Sequence, residues 1–206
     1  MERVIVYVDG FNLYFGMKGK GWRELYWLDV QKMAERMMRP NQQLVRTKYF
    51  TSRVSSTPKD PDKALRQQAF LEALTTVSGL DIFFGHYVKE PTECRCCGTR
   101  WLSFREKMTD VNIAVQVLAD GFQDRMDTAI VVSGDGDLTV LVQQYRLFFP
   151  RKRIVMGFPP GRSLNELSQA ANGFFVIGRS LLSASQLPAS VKHPRGHTLH
   201  RPPRWT

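Results

Sequence analysis

The sequence predicts a single α/β domain in which helices cover both faces of a mostly parallel, doubly wound (Rossmann-like) sheet. Short apolar runs such as residues 4–8 and 129–132 alternate along the chain with segments that repeat apolar residues at helical spacing. The runs are continuous, which is typical of parallel strands buried on both faces. Gly and Asp follow directly after them, as expected where strands end in turns.

Each predicted element follows from these patterns in chain order. Asp29 suits the start of the first predicted helix, and Pro40 stops it. Ser, Pro and Asp predict a loop at 55–61, and a cysteine-bearing loop is predicted at 91–100. Strands are predicted at residues 4–8, 44–51, 81–88, 129–132, 153–156 and 174–177. Helices are predicted at residues 28–38, 62–77, 110–119, 138–145 and 163–171.

Composition places the chain among globular proteins, with 43% hydrophobic and 23% charged residues. The apolar runs fall far short of the ~20 residues of a membrane-spanning helix, so no membrane partner is expected. Asp9 interrupts the first run before it could serve as a signal peptide. Three clustered cysteines do not suit a disulfide framework and indicate a reducing compartment. We therefore expect a cytoplasmic protein.

Positive charge is concentrated in the last third of the chain. The formal net charge is +10, and residues 138–206 contain ten lysines and arginines but one acid, Glu166. A cationic region beside a separate group of acids suits a nucleic acid held over a metal site, although many cationic surfaces are only solvated. Residues 183–206 lose periodicity and are predicted to form a flexible basic tail after a domain of residues 1–182.

Four aspartates are predicted to meet at one edge of the sheet. Asp9 ends the first predicted strand, Asp135 and Asp137 follow the fourth, and Asp110 opens the third predicted helix. Sites in parallel α/β sheets form beyond the carboxyl ends of the strands, where the following helices begin. Each acid taken singly could be a turn residue or a helix cap, but neither role requires all four at one edge.

Converging carboxylates repel each other unless a cation neutralises them. Oxygen ligands suit hard ions that keep several waters, so Mg²⁺ or Mn²⁺ is the expected cofactor. Such a site can activate water for in-line attack on a phosphodiester. Asn12 and Ser133 lie next to the acids and could bind phosphate, orient a ligand or serve the turn backbone.

Basic and aromatic residues before the cationic third of the chain are further candidates for contacts with a nucleic acid. Phosphate contacts could come from Lys48, Arg53, Arg66 and Lys107, although a solvated surface is the commoner place for each. Aromatic residues crowd the stretch after the first strand, where they could stack on unpaired bases or form part of the core. These are Phe11, Tyr14, Phe15, Trp22, Tyr26 and Trp27.

Three motifs together resemble the NYN family of the PIN-like nuclease superfamily. They are VDGFNLY at residues 8–14, EKMTDVNIA at 106–114 and VSGDGDL at 132–138. The resemblance extends from residue 4 to about 177 and implies a PIN-like doubly wound sheet with a divalent-metal site that cleaves RNA, single-stranded or structured. By position, the residues that match its acidic ligands and flanking polar residues are Asp9, Asp110, Asp135, Asp137, Asn12 and Ser133.

Two positions depart from the family pattern. Gly136 stands between the last two acids, where many relatives have Ser or Asn. Asn172 stands near the final strand, where many relatives place an Asp. An amide cannot act as an anionic ligand, so a site that needs an acid at position 172 would be weakened.

The cysteine loop presents a separate question. Cys94 and Cys97 have the spacing of half a zinc motif, and Cys96 or His86 could supply further ligands. Adjacent Cys96 and Cys97 would ligate one ion only with strain. Zinc in one chain, zinc shared across a homodimer, and plain reduced thiols all stay open.

Two rival functions compete with cleavage of RNA. The DGDLT run at 135–139 matches the nucleophile motif of haloacid-dehalogenase-type phosphatases, but their further metal-binding acids cannot be supplied downstream, where Glu166 stands alone. The stronger rival is a non-catalytic RNA-binding or regulatory module, and DNA is a further candidate substrate. A module that only binds RNA gains little from acids packed against it, so we predict a metal-dependent ribonuclease.

Overall fold

The computed structural model describes residues 1–94 and 96–206, and the side chains at 86–91 and 101–107 lie outside the described set. The strands are β1 (Glu2–Asp9), β2 (Gln42–Thr51), β3 (Leu80–Phe84), β4 (His86–Glu93), β5 (Arg100–Lys107), β6 (Thr128–Val132), β7 (Arg153–Phe158), β8 (Gly173–Val176), β9 (Ser190–Lys192) and β10 (Thr198–His200). The helices are α1 (Gly10–Gly19), α2 (Val30–Glu35), α3 (Lys63–Leu74), α4 (Thr109–Phe122), α5 (Thr139–Phe148), α6 (Asn165–Ala170) and α7 (Arg179–Ser183).

Six parallel strands form the central sheet in the order β3-β2-β1-β6-β7-β8. Renumbered along the chain within this sheet, the order is 3-2-1-4-5-6, that of a doubly wound Rossmann-type fold. The chain winds outward from β1 to β3, then crosses back through α4 to enter β6 on the other side of β1. The predicted α/β class is confirmed, and the topological switch point lies between β1 and β6.

The continuous apolar run of β1 is explained by burial on both faces of the sheet. Val6 and Val8 belong to a core shared with α1, α2 and α3. Ile5 and Tyr7 point to the opposite face, into a core shared with α4 and α5. Because both faces are covered, the strand contains no alternating polar residues, as expected for a central parallel strand.

The structure differs from the sequence prediction at three places. Residues 10–19 form α1, which was not predicted, because its sequence GFNLYFGMKG is rich in glycine and aromatic residues that are poor helix formers. The predicted loop at 91–100 contributes to an antiparallel hairpin of β4 and β5, separate from the main sheet. The predicted strand at 81–88 is divided between β3 and β4.

Residues 183–206 pack against the core, which corrects the prediction of a flexible tail. β9 and β10 form a small antiparallel hairpin. The Trp205 ring lies 5.7 Å from Tyr26, 6.4 Å from Trp27 and 6.1 Å from Phe70, centroid to centroid. The Trp27 indole donates a 2.7 Å hydrogen bond to the Pro188 carbonyl. The two strands are very short, and a single aromatic side chain packs on the core, so the sequence of this segment shows no periodicity. The lack of periodicity is the reason why a flexible tail was predicted.

A buried ion pair joins β2 to α4. The Lys48 Nζ lies 2.6 Å from the Asp120 Oδ2, with the two side chains only 6% and 1% exposed. Tyr7 donates a 2.6 Å hydrogen bond to the same oxygen, and the Gln116 amide oxygen accepts a 2.7 Å hydrogen bond from Lys48. Burial, followed by the bond to Asp120, raises the pKa of the Tyr7 hydroxyl. Lys48 is therefore a structural residue and cannot contact phosphate.

None of the helices within the described residues is long and apolar enough to cross a membrane.

Replacement of Asp120 by asparagine keeps the shape of the side chain but leaves the Lys48 charge buried without a counter-ion. We expect the free energy of unfolding to fall by about 3–5 kcal/mol in urea denaturation, as for other broken buried pairs. Glu24→Gln is the matched control, because its pair with Arg179 is 39% and 59% exposed and should contribute less than about 1 kcal/mol. Equal losses in the two variants would contradict this assignment.

Trp205→Ala tests whether the last residues stabilise the domain. Removing a half-buried indole from contact with Tyr26, Trp27 and Phe70 should cost about 2 kcal/mol, less than a fully buried tryptophan. Thermal unfolding would measure the loss, with the exposed Lys192→Ala as the control. A melting temperature equal to that of the wild type would show that the packed tail does not stabilise the core.

Candidate active site

Asp9 connects the two chain segments that meet at the switch point. It ends β1 and caps α1, where its Oδ1 accepts a 2.9 Å hydrogen bond from the Asn12 backbone amide. Its Oδ2 accepts a 2.9 Å hydrogen bond from the Ser133 hydroxyl, which follows β6. The Asp9 side chain is only 4% exposed, so these contacts fix the direction of its carboxylate.

Ser133 and Asn12 complete the link between the two segments. The Ser133 hydroxyl oxygen accepts from the Asp135 backbone amide at 3.1 Å, and the Asn12 Oδ1 accepts from the Gly134 amide at 3.0 Å. Ser133 is fully buried, so the structure corrects its predicted contact with substrate and makes it a positioning residue. Within the described part of the chain, the Asn12 Nδ2 donates to no group and stays available to a ligand.

Asp135 and Asp137 lie in the turn that leads from β6 to α5. Asp135 caps a 3₁₀ turn (Gly136–Leu138), and its Oδ1 accepts a 3.2 Å hydrogen bond from the Asp137 amide. Asp135 is half-buried and Asp137 is exposed. The turn therefore directs two carboxylates of different accessibility to the carboxyl edge of β6.

Asp110 reaches the same edge from the first turn of α4, where the helix dipole favours a negative charge. The residue before the helix, Met108, has a φ of +82°, a left-handed conformation that is unusual for a residue other than glycine. Such strained backbone occurs preferentially beside functional sites. Asp110 itself is half-buried.

These four aspartates line one open cleft of about 960 Å³. The convergence predicted from strand order is therefore observed. Arg162 also lines the cleft, from the loop after β7. Sequence reasoning counted Arg162 only as part of the basic region, although its place after the strand next to β6 could have indicated a residue of the site.

The donor chemistry of the cleft fits a hard divalent cation, because the acids offer only oxygen ligands. Among the described residues, no group of three or more His, Cys, Asp or Glu side chains is close enough to hold one ion. The carboxylates are thus spread around the cleft and do not form a closed cage. Mg²⁺ is commonly bound by one or two carboxylates, with water and substrate phosphate completing its shell.

Glycine permits the close packing that brings Arg162 to the cleft. A Cβ atom on Gly134 would collide with the Arg162 backbone carbonyl oxygen. The Arg162 guanidinium lies 5.7 Å from the centre of the Phe15 ring, and Lys18 Nζ lies 5.7 Å from the same ring. Phe15 is 43% exposed and therefore presents an aromatic surface flanked by two cations.

Asn172, the position at which many relatives place an Asp, lies away from the cleft. Asn172 exchanges hydrogen bonds of 2.9 Å with the Ile154 backbone at the amino end of β7, the opposite edge of the sheet. An acid at position 172 would therefore not reach the cleft in this chain. The Lys107 side chain lies outside the described residues, so its predicted contact with substrate stays a prediction.

The cysteine loop forms the tip of the hairpin of β4 and β5. Cys94 is half-buried, while Cys96 and Cys97 are exposed. Hydrogen bonding with Thr99, whose hydroxyl lies 3.1 Å from the sulfur, lowers the pKa of the Cys97 thiol. The His86 side chain lies outside the described residues, and zinc at this loop stays a prediction.

Comparison with known proteins identifies the relatives of the chain. The family model described as NYN domain matches residues 3–180. The 6-hydroxy-3-succinoylpyridine 3-monooxygenase HspA of Pseudomonas putida is 26% identical over 178 residues, which cover 70% of this chain and 55% of that protein. The chain thus spans about half the length of this curated relative.

A solved structure shows the same fold. The crystal structure of a protein of unknown function from Vibrio parahaemolyticus matches with a TM-score of 0.57 and 20% identity, over 90% of this chain and 96% of that one. At this identity the likeness concerns the architecture alone.

Gly134→Ala should displace the loop that carries Arg162, because the added methyl group would strike a backbone atom. We expect a loss of about 1–3 kcal/mol in urea denaturation, the usual range for overpacking. Gly19→Ala is the matched control, since nothing lies within 4 Å of its added Cβ and alanine is favoured in helices. Wild-type stability in Gly134→Ala would contradict the observed packing.

Proposed function

The chain belongs to the NYN domain family, and on that premise we propose that it is a metal-dependent ribonuclease. The observation that carries the proposal is the presence of Asp9, Asp110, Asp135 and Asp137 around one cleft at the switch point. Three separate segments of the chain supply these acids. Turn formation and helix capping account for each acid singly but not for their shared cleft.

The charge distribution supports a nucleic acid as the substrate. RNA is a polyanion, so bare carboxylates facing it cost binding energy that a cation must offset. Cationic groups adjoin the cleft, with Arg162 on its wall and Lys18 beside Phe15. A protein that only bound RNA would gain from the cations and lose from the four acids. This difference favours a nuclease over the non-catalytic RNA-binding module.

The residues present have distinct roles in the proposed hydrolysis. A Mg²⁺ or Mn²⁺ ion held by one or two of the carboxylates of Asp9, Asp110, Asp135 and Asp137, with water and substrate phosphate completing its shell, would lower the pKa of a water nucleophile and neutralise phosphate charge. Two hydrogen bonds prevent the Asp9 carboxylate from turning away. A carboxylate that does not bind the ion, such as the exposed Asp137, can accept a proton from the attacking water as the new phosphorus–oxygen bond forms. The phosphorus–oxygen bond to the leaving oxygen then breaks, and that oxygen takes a proton from solvent.

Neutral and cationic side chains can position the substrate. The Asn12 Nδ2 can donate to a phosphate oxygen, since its Oδ1 is already engaged by the Gly134 amide. The Arg162 guanidinium, on the cleft wall, can pair with the same or a neighbouring phosphate. Preorganised donors of this kind stabilise the charge that develops during phosphoryl transfer.

The monooxygenase activity in the name of the Pseudomonas relative is not transferred to this chain. The two proteins share 26% identity, and this chain covers 55% of the relative. The polar lining of the cleft includes four aspartates and Arg162, beside apolar side chains, and this combination of acids and a guanidinium suits a phosphodiester. RNA is preferred over DNA on the family resemblance.

Cleavage of an end-labelled single-stranded RNA with Mn²⁺ or Mg²⁺ tests the proposal. We expect cleavage by the wild type that stops with EDTA and falls about 100-fold or more in Asp135→Asn, since a lost carboxylate removes several kcal/mol of transition-state stabilisation. Asp62→Asn is the matched control, because it removes the same charge from an exposed site before α3. Its activity should equal that of the wild type.

Two outcomes would contradict the nuclease assignment. If the wild type binds RNA in a salt-dependent way and cuts none with either metal, the protein is the non-catalytic RNA-binding module. If Asp135→Asn cleaves as fast as Asp62→Asn, the activity does not come from this cleft.

A further inference from the structure

A second cavity lies beside the acid cleft, between α1, α3 and the carboxyl end of β2. Its volume is about 140 Å³. The packed C-terminal segment supplies one wall through Trp205. The aromatic residues that line it are Phe11, Tyr14, Phe15, Tyr26, Tyr49, Phe70 and Trp205.

The size and walls of this cavity suit one flat ring. An apolar protein cavity of roughly 150 Å³ is large enough to hold benzene. A six-membered heterocycle is therefore matched in size, whereas the fused rings of a purine are larger. Aromatic walls provide the stacking surfaces by which proteins hold unpaired bases.

Tyr14 and Tyr26, which line the cavity, each have a hydroxyl group. The Tyr14 and Tyr26 rings lie 4.8 Å apart, and neither hydroxyl forms a hydrogen bond among the described residues. Burial, and then the neighbouring Tyr14, raises the pKa of Tyr26 to about 12, and burial raises the pKa of Tyr14. Both hydroxyls are thus protonated at neutral pH and can donate to a carbonyl oxygen such as the O2 atom of uracil or cytosine.

Cationic side chains also line the cavity. Lys18, Lys63 and Arg66 contribute to its walls. Arg66 lies 2.6 Å from the Asp60 carboxylate, and Arg204 lies 3.0 Å from the same carboxylate. Two guanidinium groups sharing one acid leave positive charge near the cavity, which suits the phosphates on either side of a bound base.

The cavity adjoins the acid cleft, and two aromatic residues line both spaces. Phe11 and Phe15 line both spaces, and their rings are stacked with centroids 6.2 Å apart. Arg162 lies over the Phe15 ring. An RNA strand that crosses the Phe11 and Phe15 rings would place a phosphate in the acid cleft and a base in the cavity.

We propose that this cavity binds a single unpaired pyrimidine base of an RNA strand whose phosphodiester lies in the acid cleft. The inference rests on the proposed nuclease function and specifies its substrate preference. Ring size selects a pyrimidine over a purine, and the tyrosine hydroxyls donate to the O2 oxygen that uracil and cytosine share.

Binding of fluorescent RNA octamers to Asp135→Asn tests the subsite without turnover. An oligo(A) octamer with one central uridine should bind about tenfold more tightly than the all-adenosine octamer, the scale of one stacking interaction. Replacing that uridine with an abasic ribose should remove the advantage. In the wild type, cleavage should then occur at a fixed distance from the uridine.

Two kinds of variant connect the preference to the cavity. Val54→Phe, made in the Asp135→Asn protein, adds a ring to the cavity wall and should abolish the uridine advantage while oligo(A) binding is unchanged. Val45→Phe is the matched control, since this valine is 45% exposed in the first half of β2 and should keep the advantage. Tyr14→Phe and Tyr26→Phe preserve the rings and should each reduce the advantage severalfold, which keeps the test valid if Val54→Phe does not fold.

The two proposals fail in different ways. Equal binding of the uridine-containing and all-adenosine octamers would overturn the subsite, as would an undiminished advantage in Val54→Phe or in both tyrosine variants. Metal-dependent cleavage without any pyrimidine preference would overturn the subsite and leave the nuclease standing. No binding and no cleavage of any octamer would overturn the nuclease proposal and the subsite with it.

Discussion

The hydrogen bonds that hold the buried Asp9 carboxylate are the contacts on which the site depends. One donor belongs to α1 and the other follows β6, so the carboxylate joins the two halves of the doubly wound sheet where they diverge. A buried charge without such donors would be strongly unfavourable. Each half therefore needs the other to satisfy Asp9, and the same contacts set the position of the turn that carries Asp135.

Contacts outside the cleft fix the positions of the other elements that line it. Helix α4, which carries Asp110 in its first turn, is tied to β2 more than two turns further along by the buried pair of Asp120 and Lys48. The loop that carries Arg162 is seated on Gly134, where a larger residue would collide. The geometry of the cleft is thus determined by packing below it as much as by the residues that line it.

The distribution of charge reconciles a strongly basic protein with an acidic cleft. The net charge is +10, yet the carboxylates of Asp9, Asp110, Asp135 and Asp137 share one edge of the sheet. Arg162 and Lys18 each lie 5.7 Å from the centre of the exposed Phe15 ring, which lines the cleft. A cationic surround attracts a polyanion, while the acids suit a divalent ion that could act on it. The proposed cleavage needs both groups, since the cations attract the polyanion and the acids bind the divalent ion.

The sequence alone determined the fold class, the strands of the main sheet and the meeting of the four aspartates. It did so because continuous apolar runs identify buried parallel strands, and the carboxyl ends of such strands share one edge. Only the tertiary structure decided that Lys48 and Ser133 are buried, that Asn172 lies at the opposite edge, and that Trp205 closes an aromatic cavity. A local pattern predicts the element to which a residue belongs and the apolar face that this element buries. Contacts between distant segments decide whether a polar residue is buried and which partner it has.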